Sequence, residues 1–127
     1  MGYRVLIVDD SRLARMAVIK VLNDLHPQWT RLEAGNADEA MTVVTEGGID
    51  MVVLDYNMPG RDGLALAADL RALRPDMPIA VISANHQVEI TDRARAVGAV
   101  FLAKPLARQA AADFFEGAAR QLENSGR

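Results

Sequence analysis

Val5-Leu6-Ile7-Val8 runs straight into Asp9-Asp10, and the chain repeats this pattern three more times. Met51-Val52-Val53-Leu54 ends at Asp55, Ile79-Ala80-Val81-Ile82 ends at Ser83, and Val100-Phe101-Leu102-Ala103 ends at Lys104. Short apolar runs without alternation, separated by helix-length segments, are the pattern of strands buried on both faces of a parallel sheet. The polar residue that stops each run then falls at a strand's carboxyl end, the edge where open α/β sheets bind ligands. Three carboxylates, a hydroxyl and an ammonium are thereby directed to one rim.

The segments between the runs have helical spacing. Between Ser11 and Leu25, the set Ala14, Val18, Val21, Leu22 and Leu25 forms one face of an amphipathic helix, with Pro27 just beyond its end. A second helix opens at Asn36, with Glu39 placed as in a capping box, and ends at Gly47-Gly48. A third starts near Asp62, uses Leu66, Leu70 and Leu73, and stops before Pro75; a fourth uses Ile90, Ala94 and Val97 and ends at Gly98, where a left-handed cap suits glycine. The fifth follows Pro105 and carries Ala111, Phe114, Phe115, Ala118 and Leu122. A weaker strand, Thr30 to Ala34, lies between the first two helices. Strict alternation of five strands with five helices predicts an α/β fold, a doubly wound parallel sheet covered on both faces.

At 127 residues the chain is expected to form a single domain, with a core over about residues 3–122 and a polar tail at 123–127. Its 14 Lys and Arg are outnumbered by 17 Asp and Glu, the net charge is -3, and no basic run occurs, so nucleic acid is not the expected partner. Cysteine is absent, which removes a disulfide framework and a thiolate metal site. Met1-Gly2-Tyr3-Arg4 lacks the apolar core of a signal peptide, and no stretch approaches the roughly 18 apolar residues that span a bilayer. A soluble, cytoplasmic protein with no membrane insertion is expected.

Converging carboxylates repel. Two unit charges about 4 Å apart cost about 4 kcal/mol at an effective dielectric near 20. Asp9, Asp10 and Asp55 therefore call for a cation, and an all-oxygen site with room for water suits Mg²⁺. A carboxylate can attack phosphorus to give an acyl phosphate, and phosphoryl transfer needs mainly positioning and neutralisation of the equatorial oxygens. A metal ion, Lys104 and the Ser83 hydroxyl supply those, with Asp55 as the nucleophile.

Asp9-Asp10 after the first strand, Asp55-Tyr56-Asn57-Met58-Pro59-Gly60-Arg61-Asp62-Gly63 around the third, Ser83-Ala84 after the fourth and Lys104-Pro105 after the fifth together resemble the receiver domain of two-component response regulators, in its chemotaxis-type single-domain form. The resemblance implies a three-layer, flavodoxin-like fold with strand order 2-1-3-4-5. It implies that Asp55 is the phosphoacceptor, that Asp9, Asp10, Asp55 and the backbone carbonyl of Asn57 hold Mg²⁺, and that Lys104, Ser83 and the backbone amide of Ala84 contact the phosphoryl group. Ser83 and Phe101 take the switch positions, and a cis peptide is implied at Lys104-Pro105. The phosphodonor would be a sensor histidine kinase or phosphotransfer protein. A downstream protein would bind the face built from the fourth helix, fifth strand and fifth helix, where Val88, Arg93, Phe101 and Gln109 are candidates. The protein is then a signalling switch that assists its own phosphorylation and dephosphorylation, not an enzyme acting on outside substrates.

Serine at 83 and phenylalanine at 101 stand where threonine and tyrosine are frequent in that family; the second change removes any phenol hydrogen bond from the switch. Asn57 and Asn85, two residues beyond Asp55 and Ser83, occupy positions that tune hydrolytic water. A phosphatase with an aspartyl intermediate usually places a second acid where this chain has Asn57. A nucleotide binder needs a Gly-rich or Ser/Thr-rich loop where it has Asp9-Asp10. A receiver-like scaffold that is never phosphorylated has no need of the full residue set. His26 and His86 have no metal-ligand spacing, Trp29 is expected to pack beside the second strand, and Arg12 and Arg15 suggest a solvated helix face, which in a receiver borders the kinase-docking surface.

Overall fold

The structure, a computed structural model, describes residues 2–125. Its elements are β1 (Arg4–Val8), α1 (Arg12–Leu25), β2 (Thr30–Ala34), α2 (Ala37–Glu46), β3 (Met51–Asp55), α3 (Gly63–Leu73), β4 (Ile79–Ser83), α4 (Val88–Ala96), β5 (Val100–Ala103) and α5 (Arg108–Asn124). The strands form one sheet in the order β2-β1-β3-β4-β5, every neighbouring pair parallel. This is the fold and strand order that the motifs imply.

The period-2 geometry of each strand divides its side chains between two apolar layers. Leu6, Val8, Val52, Leu54, Ile79 and Val81 pack with α2, α3 and α4, whereas Val5, Ile7, Met51, Val53, Ala80 and Ile82 pack with α1 and α5. Because both faces are apolar, a one-residue slip of β1 or β3 exchanges one greasy face for another. The strand ends pin the register instead, since sliding Asp9 or Asp55 inward buries a carboxylate away from its partners, at a cost of several kcal/mol.

Helix starts follow their capping residues. Ser11 Oγ accepts from Ala14 N at 3.2 Å, Asn36 Oδ1 from Glu39 N at 2.8 Å, and Asp62 Oδ1 from Ala65 N at 2.8 Å, each bond satisfying an otherwise unpaired first-turn donor. The capping box at Asn36 is shifted by one residue: the Glu39 carboxylate accepts from Gly35 N at 3.2 Å and from the Asn36 side chain at 3.2 Å. Gly98 follows α4 at φ 70°, the left-handed conformation that favours glycine.

Trp29 is buried, with the His26 ring stacked on it at 3.8 Å and Tyr3 and Phe115 edge-on at 5.1 and 6.0 Å. The polar tail expected from residue 123 is in part helical. Glu123 and Asn124 complete α5, whose last turn is closed by Ser125 N donating to Gln121 O at 3.1 Å and Ser125 Oγ to Leu122 O at 3.0 Å. Residues 126 and 127 of that tail lie outside the described residues. Among the described residues, no helix is long and apolar enough to cross a membrane.

Candidate phosphoacceptor and metal site

The register brings the polar strand ends level. Val8 lies opposite Ala34 and Leu54, Asp55 opposite Ile82, and Ser83 opposite Ala103, so positions 9, 55, 83 and 104 share the carboxyl rim. Asp9, Asp10 and Asp55 each offer an oxygen there, and these oxygens all lie within 4.8 Å of one another. Asp55 and Asp9 are only 4% and 7% exposed, while Asp10 is open to solvent. From the far end of the sheet, Lys104 Nζ approaches Asp55 Oδ1 to 2.7 Å.

That ion pair does not satisfy Asp55. The close contact does not have the geometry of a hydrogen bond, and this buried oxygen receives none from the described residues. Burial, opposed by the Ser11 N–H that donates to Asp9 Oδ1 at 2.9 Å and reinforced by the charge of Asp55, pushes the Asp9 carboxyl above its ordinary value. The site thus holds carboxylate groups that burial has stripped of water and that the protein alone does not fully compensate. A buried carboxylate oxygen without a hydrogen bond, set among further hard oxygen donors, fits Mg²⁺, which would lower the Asp9 carboxyl again.

Other residues named from the sequence sit around this centre. The Ser83 hydroxyl accepts from Asn85 N at 2.9 Å and donates to Asn85 O at 3.2 Å, so in this state it is engaged within its own loop. Asn57 and Ala84 occupy the exposed loops after β3 and β4. The Lys104–Pro105 peptide is cis, and Lys104 N donates to Ser83 O at 3.0 Å. Phe101 is half-buried, packs against the α2–α3–α4 layer and meets the His86 ring edge-on at 5.8 Å. Arg93 reaches from α4 to Asp62 at 3.2 Å, Gln109 donates to Asp113 at 2.8 Å, and Val88 is 68% exposed.

Two residues have roles their local sequence does not show. Arg15, expected on a solvated helix face, has a side chain only 17% exposed; Nη1 donates to the backbone carbonyl of Asp9 at 2.6 Å and Nε to Glu33 Oε1 at 2.8 Å. Arg12 beside it is exposed, as expected. Gly63 opens α3 against the end of β3, its N–H donating to Tyr56 O at 2.7 Å. A Cβ there would fall 2.2 Å from the Asp55 carbonyl oxygen and 2.8 Å from Tyr56 Cα, so only glycine lets the helix approach the end of β3 this closely. The Asp62-Gly63 pair was visible in the sequence, but its purpose was not.

A doubly wound parallel sheet with a partly buried acid cluster and an opposed lysine at its carboxyl edge places these groups where α/β proteins of this winding bind ligands. The profile of the family described as "Response regulator receiver domain" matches residues 5–114, and the chain belongs to that family of two-component systems. The glycerol metabolism activator of Pseudomonas putida is 33% identical over 116 residues, covering 90% of this chain and 52% of that protein. The chain thus spans about half that relative's length. Among solved structures, a CheY-like receiver domain protein from Methanospirillum hungatei JF-1 shares the fold with a TM-score of 0.87 at 20% identity, covering 98% of this chain and 99% of that one. The chemotaxis protein CheY4 of Vibrio cholerae matches with a TM-score of 0.83 at 25% identity, covering 93% and 99%. Membership of this family is consistent with phosphorylation-dependent signalling.

Proposed function

We propose that the protein is a phosphorylation-controlled switch in which Asp55 takes a phosphoryl group from the phosphohistidine of a sensor histidine kinase or phosphotransfer protein. The observation that carries this reading is the Asp55 carboxylate itself, buried between an acid pair and a lysine, with one oxygen that no hydrogen bond satisfies. An Asp55 oxygen forms the bond to phosphorus while the donor's nitrogen–phosphorus bond breaks, and the electron pair of that bond stays on the imidazole nitrogen. The product is an acyl phosphate on Asp55. Asp9, Asp10, Asp55 and the Asn57 carbonyl would hold Mg²⁺, which when bound would offset the repulsion among the acids and neutralise charge on the phosphoryl oxygens. Lys104 is 2.7 Å from the nucleophile and supplies the second positive contact.

The switch follows from the Ser83 bonds. A neutral turn hydrogen bond contributes about 1 kcal/mol, and one to a charged phosphoryl oxygen about 1.5–3 kcal/mol, so modification of Asp55 draws the hydroxyl away from Asn85. The Ala84 amide moves with it and adds a donor. The β4–α4 loop then shifts against Phe101, whose ring touches His86 of that loop. With no phenol oxygen at 101, packing and not a hydrogen bond transmits the movement. The output is altered binding of a downstream protein on the face of α4, β5 and α5 that carries Val88, Arg93, Phe101 and Gln109. The donor approaches from the other side, where Leu13 and Met16 of α1 are 78% and 52% exposed. There a cavity of about 490 Å³ runs between α1 and the Lys104–Leu106 segment.

Incubation with a small acyl phosphate and Mg²⁺ is expected to add one phosphoryl group, detectable by intact mass. Labelling should vanish in Asp55→Asn and fall on chelation of the metal. Equal labelling of Asp55→Asn would overturn the assignment.

A further inference from the structure

Arg15 is the cation beside the acid cluster that phosphoryl transfer does not use, and its side chain is committed. Asp9 is held at three points: its N–H donates to Ala34 O at 3.1 Å, its carbonyl accepts from Arg15 Nη1 at 2.6 Å, and its Oδ1 accepts from Ser11 N at 2.9 Å. Among the described residues, only the Arg15 bond to Asp9 comes from a side chain. It restrains the peptide that links Asp9 to Asp10, and therefore the direction in which both carboxylates leave the backbone. Because β2 and β3 lie on opposite sides of β1, the Glu33 partner of Arg15 grips from the flank away from Asp55.

Glu33 does two things for Arg15. At 2.8 Å from Nε it orients the planar guanidinium, and its charge cancels the one that Arg15 would otherwise place next to a cation site. We propose that Arg15 is a positioning residue for the cation-binding carboxylates Asp9 and Asp10, and that Glu33 orients and neutralises it. This rests on the metal reading of the Asp9–Asp10–Asp55 cluster and extends it to residues outside the expected ligand set.

The sign of one measurement decides between this role and a purely electrostatic one. Removing a cation beside a cation site tightens binding of the metal if charge alone matters, whereas loss of positioning weakens it. Arg15→Gln is therefore expected to raise the Kd for Mg²⁺, measured by calorimetry, about ten-fold, the lower end of what partners behind metal ligands contribute. The Mg²⁺ concentration that half-saturates labelling by a small acyl phosphate should rise by the same factor, while the rate at saturating Mg²⁺ stays unchanged. Glu33→Gln should shift Kd in the same direction, and the double variant should be no weaker than Arg15→Gln, since both act through one bond. An unchanged or tighter Kd in Arg15→Gln, or additive losses in the double variant, would overturn the inference. So would a reduced maximal rate at unchanged half-saturation, which marks general loss of structure. If Arg15→Gln does not fold, Arg15→Lys, which keeps the charge but loses the forked donors, decides alone, and unaltered Mg²⁺ affinity there refutes the role. Absence of Mg²⁺ binding by the unsubstituted protein would instead remove the metal reading beneath it.

Discussion

Gly63 shows how one missing methyl group sets the position of Asp55. The first turn of α3 presses on the Asp55 carbonyl and on Tyr56, and a Cβ at 63 would overlap both. Unlike a glycine at positive φ, this position is demanded by space and not by backbone conformation. Gly63→Ala therefore requires α3 to retreat from β3, and overpacking of this kind costs about 1–3 kcal/mol. Urea denaturation is expected to show that loss, and labelling by a small acyl phosphate should slow because the end of β3 moves with the helix. A variant with unchanged stability and unchanged labelling would show that the contact relaxes freely.

At the scale of elements, the ends of the helices opposite the site are tied together by Arg71 of α3. Its Nε donates to Val97 O at 2.9 Å and Nη2 to Gly98 O at 3.0 Å, while Nη1 serves Met77 O at 2.7 Å, Pro75 O at 2.9 Å and Arg74 O at 3.3 Å. One guanidinium thus closes the end of α3, the entry to β4 and the end of α4. Replacing it with methionine leaves several carbonyls in search of water, and a cost of about 2–4 kcal/mol is expected from bonds to a charged donor. Because the clamp lies at the amino edge of β4, Mg²⁺ affinity should not change in Arg71→Met. By contrast, the exposed Arg93–Asp62 pair across α4 and the loop after β3 contributes under about 1 kcal/mol, as solvated pairs do.

For the whole molecule, the layer under α1 and α5 carries a pH dependence. Burial against Trp29, opposed by the charge of Glu116, holds the His26 pKa below its ordinary value of 6.5. Above that value the imidazole is neutral in both folded and unfolded chains and contributes nothing. As pH falls below 6.5 the unfolded chain takes up the proton first, so stability declines until the folded protein is also protonated. Thermal melting between about pH 6.5 and 5 is expected to show this decline, and His26→Gln should flatten it. Equal slopes for the two proteins would remove His26 as the cause.

The sequence alone determined the strands, the helices and the chemical character of the rim, because polarity and period are local properties of the chain. Val5-Leu6-Ile7-Val8 before Asp9-Asp10 places a buried strand and an acid pair without knowledge of any partner. The same reasoning located Asp55, Ser83 and Lys104, and placed the starts of the first three helices near Ser11, Asn36 and Asp62, each of which caps its helix in the structure. Strand order was available only through the family pattern, since alternation of elements is compatible with several windings. Tertiary structure alone decided which groups meet. Arg15 finds Glu33 across 18 positions, Arg71 finds Val97 across 26, and Gly63 meets the backbone of the strand before it. Such contacts depend on which strand lies beside which and how closely a helix is allowed to approach, and neither distance is written in the polarity of neighbouring residues.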